Sequence, residues 1–332
     1  MSYPKWIDKL PSKHKPMPIL SFPSAPLMGV SVYALTHDAD IQANGIVRVA
    51  QETNAAAAVT MMDLSLEAEA FGCTLHTSEN EVPTVVGALV TDEDEADELE
   101  IPQVGDARTG LYIEAAKKAK SRITDRPVLA GVIGPFSLAG RLMDVTEALA
   151  NCICDPDFVH AVMRKTTPFL IEYAKAYKAA GLDGIVMAEP LSGLLSPALE
   201  EEFSAPYCKE LIDAVQDESF AVIYHNCGPN TPKMTDSLSS LGASAYHFGD
   251  AVQLEEILDK MPADRVVMGN ISPSKQFLGG TPDSMAQAVK ELLEKCAGHK
   301  NFLLSSGCEI PPKSSWDNIR AFFRASEEFY AE

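Results

Sequence analysis

The strongest constraint on the fold is an alternation: short apolar runs, each ending in small or polar residues, are separated by segments whose apolar residues recur at helical spacing. The runs cover residues 18–24, 57–63, 127–135, 184–190, 221–228, 243–250, 265–273 and 302–312. Helical patterns lie between them, including residues 39–53, 110–121, 159–180, 205–216, 253–260 and 282–297, with a terminal helix over 316–330. Nearly continuous apolar runs fit strands covered on both faces, and strands that each return through a helix pair in parallel. Eight such units predict an α/β chain closed into a (β/α)8 TIM barrel. An open doubly wound sheet would carry a glycine-rich dinucleotide turn after its first strand, and none follows PILSFPS.

The expected organisation is one barrel domain over residues 18–332, preceded by a charged, proline-punctuated arm over residues 1–17. A chain of 332 residues is long enough for a barrel with insertions. Residues 71–90 read as a small insertion after the second strand, made of extended pieces able to pair as a hairpin. The acidic run TDEDEADELE reads as a solvated loop or helix face.

A net charge of −20 excludes nucleic acid as a partner, because phosphate binding needs a basic face. No apolar run is long enough for a membrane span, and the N-terminus lacks the apolar core of a signal peptide, so a cytoplasmic protein is expected. Seven cysteines without framework spacing fit reduced thiols and a few metal ligands better than disulfides.

The polar residues fall in one place. Asp63, Glu189, His225, Cys227, Asp250, Asn270 and Cys308 all stand at the carboxyl ends of expected strands, which is the catalytic rim of such a barrel. In YHNCG, strand geometry points His225 and Cys227 to one face and Tyr224 and Asn226 to the other. An imidazole beside a thiolate suits a borderline-soft metal, with zinc the usual occupant. Cys308, beside Gly307 on the last run, is the third ligand. Three protein ligands leave a fourth position open, as in catalytic zinc sites. Asp250 is the candidate for that position and His247 the second. Cys152 and Cys154 diverge on a helix and do not share a metal. Cys73, Cys208 and Cys296 read as packing residues.

Taken together, YHNCG, SSGCEIPP, DLSLEAEAFGC, GPFSLAGRLM, MAEPLSGLLSP and GNISP with its following GGTP resemble the uroporphyrinogen decarboxylase superfamily. The likeness runs in order from Pro18 to the C-terminus and is strongest to the zinc-dependent branch, the methylcobamide:coenzyme M methyltransferases and related corrinoid-linked enzymes. It implies the barrel, and His225, Cys227 and Cys308 as ligands of Zn2+. It also implies a methylcobamide on a corrinoid protein as methyl donor and a small thiol, such as coenzyme M, as acceptor. Asp250 would be displaced by the thiol or take its proton. Glu189 and Asn270 would orient the acceptor, and Asp63, at a family acid position, would join Asn270 in binding the cofactor. The acceptor stays open among coenzyme M, another thiol and a folate.

Two other readings stand beside this one. Uroporphyrinogen decarboxylation needs no metal, but that family grips its substrate with an arginine-rich N-terminal motif. The matching stretch here, FPSAPLMGVSVYALT, has neither Arg nor Lys. The other reading is a non-catalytic, zinc-containing component that docks a corrinoid protein, marked by a closed four-ligand shell.

Overall fold

The computed structural model describes residues 2–331. Its main sheet has seven strands lying side by side in chain order, every neighbouring pair parallel. These are β1 (Ala58–Val59), β4 (Val128–Ile133), β5 (Gly184–Ala188), β6 (Ala221–Asn226), β7 (Ala245–Phe248), β8 (Val266–Ile271) and β9 (Phe302–Ser306). Two short strands, β2 (Leu75–His76) and β3 (Thr84–Val85), form a separate antiparallel pair after β1.

The apolar runs are continuous because both faces of the sheet are covered. One set of alternate residues, including Val59, Leu129, Val186, Ile223, Ala245, Met268 and Leu303, forms an inner cluster. The other set, including Ala130, Ile185, Met187, Tyr224, Tyr246 and Leu304, packs with the surrounding helices. The N-terminal segment is part of this core, since Tyr3, Ile7, Leu10, Met17 and Ile19 join the inner cluster.

The sheet has seven strands where eight were expected. The missing one is the run at residues 18–24, whose last part turns into the helix Ser24–Met28. Pro18 and Pro23 lack an N–H, so this segment cannot sustain a ladder. The residues just before the run still reach both sides of the sheet: Met17 N–H donates to Leu304 O at 2.9 Å and Ala56 N–H donates to Pro16 O at 2.8 Å.

The helical pattern after β4 is two helices, Pro135–Met143 and Val145–Cys154. They part at Asp144, whose φ is 72° and whose side chain caps the second helix through Thr146 N–H. The acidic run becomes the short helix Glu93–Glu98, capped by Asp92 and largely exposed. Cys152 is buried while Cys154, on the same helix, is exposed, and Cys73, Cys208 and Cys296 are buried as packing residues. Among the described residues no helix is long and apolar enough to cross a membrane.

Buried carboxyl groups give this fold a pH dependence of definite sign. Burial pushes Glu67 up to about 8 and Glu200 up to about 7. Between their ordinary range near 4.5 and these values, the native state holds protons that the unfolded chain has released, so stability falls as pH rises. Thermal unfolding is expected at least about 3 °C lower at pH 8.5 than at pH 5.5. Glu67→Gln should flatten that slope. An unchanged slope in this variant would show that Glu67 does not hold its proton in the native state.

Candidate metal centre

His225 ends the inward-facing set of β6, on the same face as Ala221 and Ile223, and Cys227 follows two residues later. Tyr224 and Asn226 point outward and bond to Ser192 on the helical side. Cys308 stands two residues beyond β9. One ligand atom each of His225, Cys227 and Cys308 lies within 4.8 Å of the others, with His225 Nε2 3.5 Å from Cys308 Sγ. Side chains from distant parts of the chain thus present one nitrogen and two sulfurs to a common point.

The imidazole orientation is fixed from behind. β6 and β7 are in register with His225 opposite His247, and the two Nδ1 atoms are 2.7 Å apart. Ser305 Oγ–H donates to Met17 O at 2.7 Å, so this hydroxyl accepts from His247 Nε2–H at 2.8 Å. His247 Nδ1 is then an acceptor, and the proton between the rings belongs to His225 Nδ1. Burial and the neighbouring His225 hold His247 well below the usual histidine range, consistent with a neutral ring. The relay leaves the His225 Nε2 lone pair facing the two thiols. It also removes His247 as a fourth ligand, because both its nitrogens are engaged.

The two sulfurs are electronically unequal. A hydrogen bond from Cys308 holds Cys227 below the usual thiol range, while that bond and burial push Cys308 up to about 12. Two sulfurs that already share a hydrogen bond beside an imidazole lone pair are the metal-free form of a pair that can bind a cation as its protons leave.

The remaining rim residues separate into different roles. Asp250 is exposed and lies outside the ligand group among the described residues, though near enough for its charge to oppose ionisation of Cys227. Asn270 Nδ2–H donates to Gly249 O and Val252 O, both at 2.9 Å, and so ties down the loop that carries Asp250. Glu189 is fully buried. Its carboxylate accepts from the N–H groups of Phe136 and Ser137, from the Ser137 hydroxyl and from Cys208 Sγ. It therefore caps the helix Pro135–Met143, and burial pushes it up to about 7. Asp63 accepts from Arg108, Tyr112 and Ser65 in a buried network off the end of β1.

Gly249 permits Cys227 to reach its place. A Cβ at Gly249 would lie 2.6 Å from Cys227 Cα, closer than packed carbons tolerate. Gly249→Ala is expected to lower metal affinity at least about tenfold, comparable to loss of an outer-shell partner, read by competition with a chelating dye. Wild-type affinity in this variant would mean that the loop yields at no cost to the ligand.

Two adjoining lobes with lining residues in common lie at this end of the sheet, and the first reaches the ligand Cys227. The first, about 260 Å³, is lined by Cys227, Gly228, Ile133, Leu191 and Arg141 among others. The second, about 300 Å³, is lined by Phe22, Met62, Thr84, Glu309 and Arg141. Leu64 and Arg141 belong to both. The sequence reading missed Arg141 and the relay through His247 and Ser305. A signal existed for Arg141, as the one charged residue in PFSLAGRLM. The relay needed the strand register.

The relatives agree with this architecture. Methylcobamide:CoM methyltransferase MtbA of Methanosarcina acetivorans is 26% identical over 271 residues, covering 80% of this chain and 78% of that protein. Uroporphyrinogen decarboxylase 2, chloroplastic, of Arabidopsis thaliana is 24% identical over 240 residues, covering 70% and 58% respectively. Among solved structures, a methyltransferase from Methanosarcina mazei superposes with a TM-score of 0.84 at 22% identity, covering 95% of this chain and 94% of that one. Residues 17–329 match the uroporphyrinogen decarboxylase (URO-D) family, and with nearly the whole length accounted for, the chain belongs to that family.

Proposed function

We propose that the chain is a zinc-dependent methyltransferase that moves a methyl group from a methyl-Co(III) corrinoid, carried by a corrinoid protein, to a small thiol such as coenzyme M. The observation that carries this reading is the convergence of His225, Cys227 and Cys308 beside a cavity that Cys227 itself lines. The donor set fits zinc: one neutral imidazole with its lone pair already directed and two thiols, three ligands with a fourth position to spare. Bound there, zinc supplies the means for an acceptor thiol to lose its proton at neutral pH while the sulfur keeps its nucleophilicity.

The chain's own residues do the rest. His247 and Ser305 hold His225 in the ligating tautomer. Asp250, exposed at the rim, receives the proton of the incoming thiol. Glu189 and Asn270 act at one remove, the first fixing the helix that lines the cavity and the second fixing the Asp250 loop. Asp63 steadies the same mouth through Arg108. The acceptor sulfur attacks the methyl carbon, the C–S bond forms as the Co–C bond breaks, and both electrons of that bond stay on cobalt as Co(I). Residues 16–20, bonded to both sheet edges, serve as the eighth stave of the barrel.

The similarity to a protein named as a methylcobamide:CoM methyltransferase supports the donor and the acceptor class. Decarboxylation fits less well, since a tetrapyrrole with many carboxylates would meet a single guanidinium in the cavity. The test is incubation of zinc-loaded protein with methylcobalamin and 2-mercaptoethanesulfonate. Decay of the methyl-cobalt absorbance with stoichiometric thioether is the expected result. Absence of transfer to any thiol, including with a cognate corrinoid protein as donor, would overturn it.

A further inference from the structure

Arg141 is half-buried, and among the described residues its guanidinium has no hydrogen bond or ion pair. Arginines elsewhere in the interior are not left so: Arg108 is bonded to Asp63 and Glu69, and Arg126 to backbone carbonyls of Thr53 and Ala55. Glu309 lines one lobe with Arg141 but does not pair with it. One Glu309 oxygen takes the Ser21 N–H and hydroxyl, and the other is buried without a partner. A cation partly stripped of water and left unpaired is costly unless a ligand completes it. Among the described residues Arg141 is also the only basic one that lines either lobe, it lines both, and one of those lobes reaches Cys227. The remainder of that lobe is mostly apolar, with Ile133, Val145, Leu191 and Leu194 on its wall.

Resting on the methyl-transfer reading above, we propose that Arg141 is the anchor for an anionic group on the methyl acceptor, which makes the acceptor a short thiol ending in a sulfonate or carboxylate. Its sulfur lies toward Cys227, its carbon chain along the apolar wall, and its acid group on the guanidinium fork, which pairs with two oxygens of a carboxylate or a sulfonate. A neutral thiol fills the same lobe but leaves Arg141 unpaired.

The anchor and the metal can be tested apart. Ethanesulfonate carries the acid group and no thiol, so its binding to metal-free protein reads Arg141 alone. Saturable binding at low salt is expected in wild type, weakened by roughly 30-fold in Arg141→Leu and largely restored in Arg141→Lys, as for loss and return of a charge-assisted contact. In zinc-loaded protein, the ratio of kcat/KM for 2-mercaptoethanesulfonate over 2-mercaptoethanol should collapse by a similar factor in Arg141→Leu, with zinc content unchanged. Ethanesulfonate that binds wild type and Arg141→Leu equally, or binds neither, overturns the anchor. A wild type that transfers methyl groups to both thiols with equal kcat/KM also overturns it, while leaving the methyl-transfer reading intact. Arg141-dependent sulfonate binding without any methyl transfer does the reverse.

Discussion

Cys308→Ala protein is expected to purify without zinc and to transfer methyl groups at least about a thousandfold more slowly than wild type. Loss of an outer-shell partner alone costs a metal site about 10- to 100-fold, and removal of a ligand costs more. The substitution leaves His225 and Cys227 as a two-ligand remnant, too few for a stable site. Folding is expected to survive, because Cys308 sits after β9 in a partly exposed turn and not in the core. Cys296→Ala is the matched control: a buried helix cysteine whose removal should leave zinc at one per chain. Both zinc content by atomic emission and rate from methylcobalamin decay would be measured. Full zinc occupancy in Cys308→Ala would mean that the ligand set is wrong.

Asp63→Ala should be the most destabilising of the rim substitutions, by about 3–5 kcal/mol in urea unfolding, the range for breaking a buried ion pair from one side. Arg108 Nη1 lies 2.8 Å from Asp63 and its Nε 2.6 Å from Glu69, and Tyr112 donates its hydroxyl to Asp63 at 2.9 Å. Without the carboxylate, a guanidinium and a phenol remain buried and short of acceptors. Replacing Asp63 and Arg108 together by apolar residues should recover part of the loss, since the second change removes the stranded charge. A loss below about 1 kcal/mol would place Asp63 outside the structural network.

Much of this was readable beforehand, for identifiable reasons. Strands covered on both faces are written as unbroken apolar runs, so seven of them could be located closely. Parity along a strand then fixed that His225 and Cys227 face inward while Tyr224 and Asn226 face the helices, and the structure agrees. What could not be read depends on partners remote in sequence. Residues 18–24 have strand-like side chains, but Pro18 and Pro23 leave the run without a ladder donor near each end. Glu189 ends a strand at the rim, yet the N-terminus of the helix Pro135–Met143 turns its carboxylate into a cap. His247 has the residue type of a ligand, and only the register that sets it against His225 and Ser305 shows that its nitrogens are taken. Arg141 is conspicuous in its apolar helix, but its lack of a partner emerges only when the cavity is assembled.

The central claim is that a thiol is activated at a zinc held by His225, Cys227 and Cys308. The most direct test is zinc-edge X-ray absorption of the loaded protein before and after addition of 2-mercaptoethanesulfonate. The account predicts a first shell with two sulfurs that becomes a shell with three, the exchanged ligand being a light atom. A shell that stays at two sulfurs in the presence of saturating thiol, or that contains a different set from one nitrogen and two sulfurs at the outset, would contradict it.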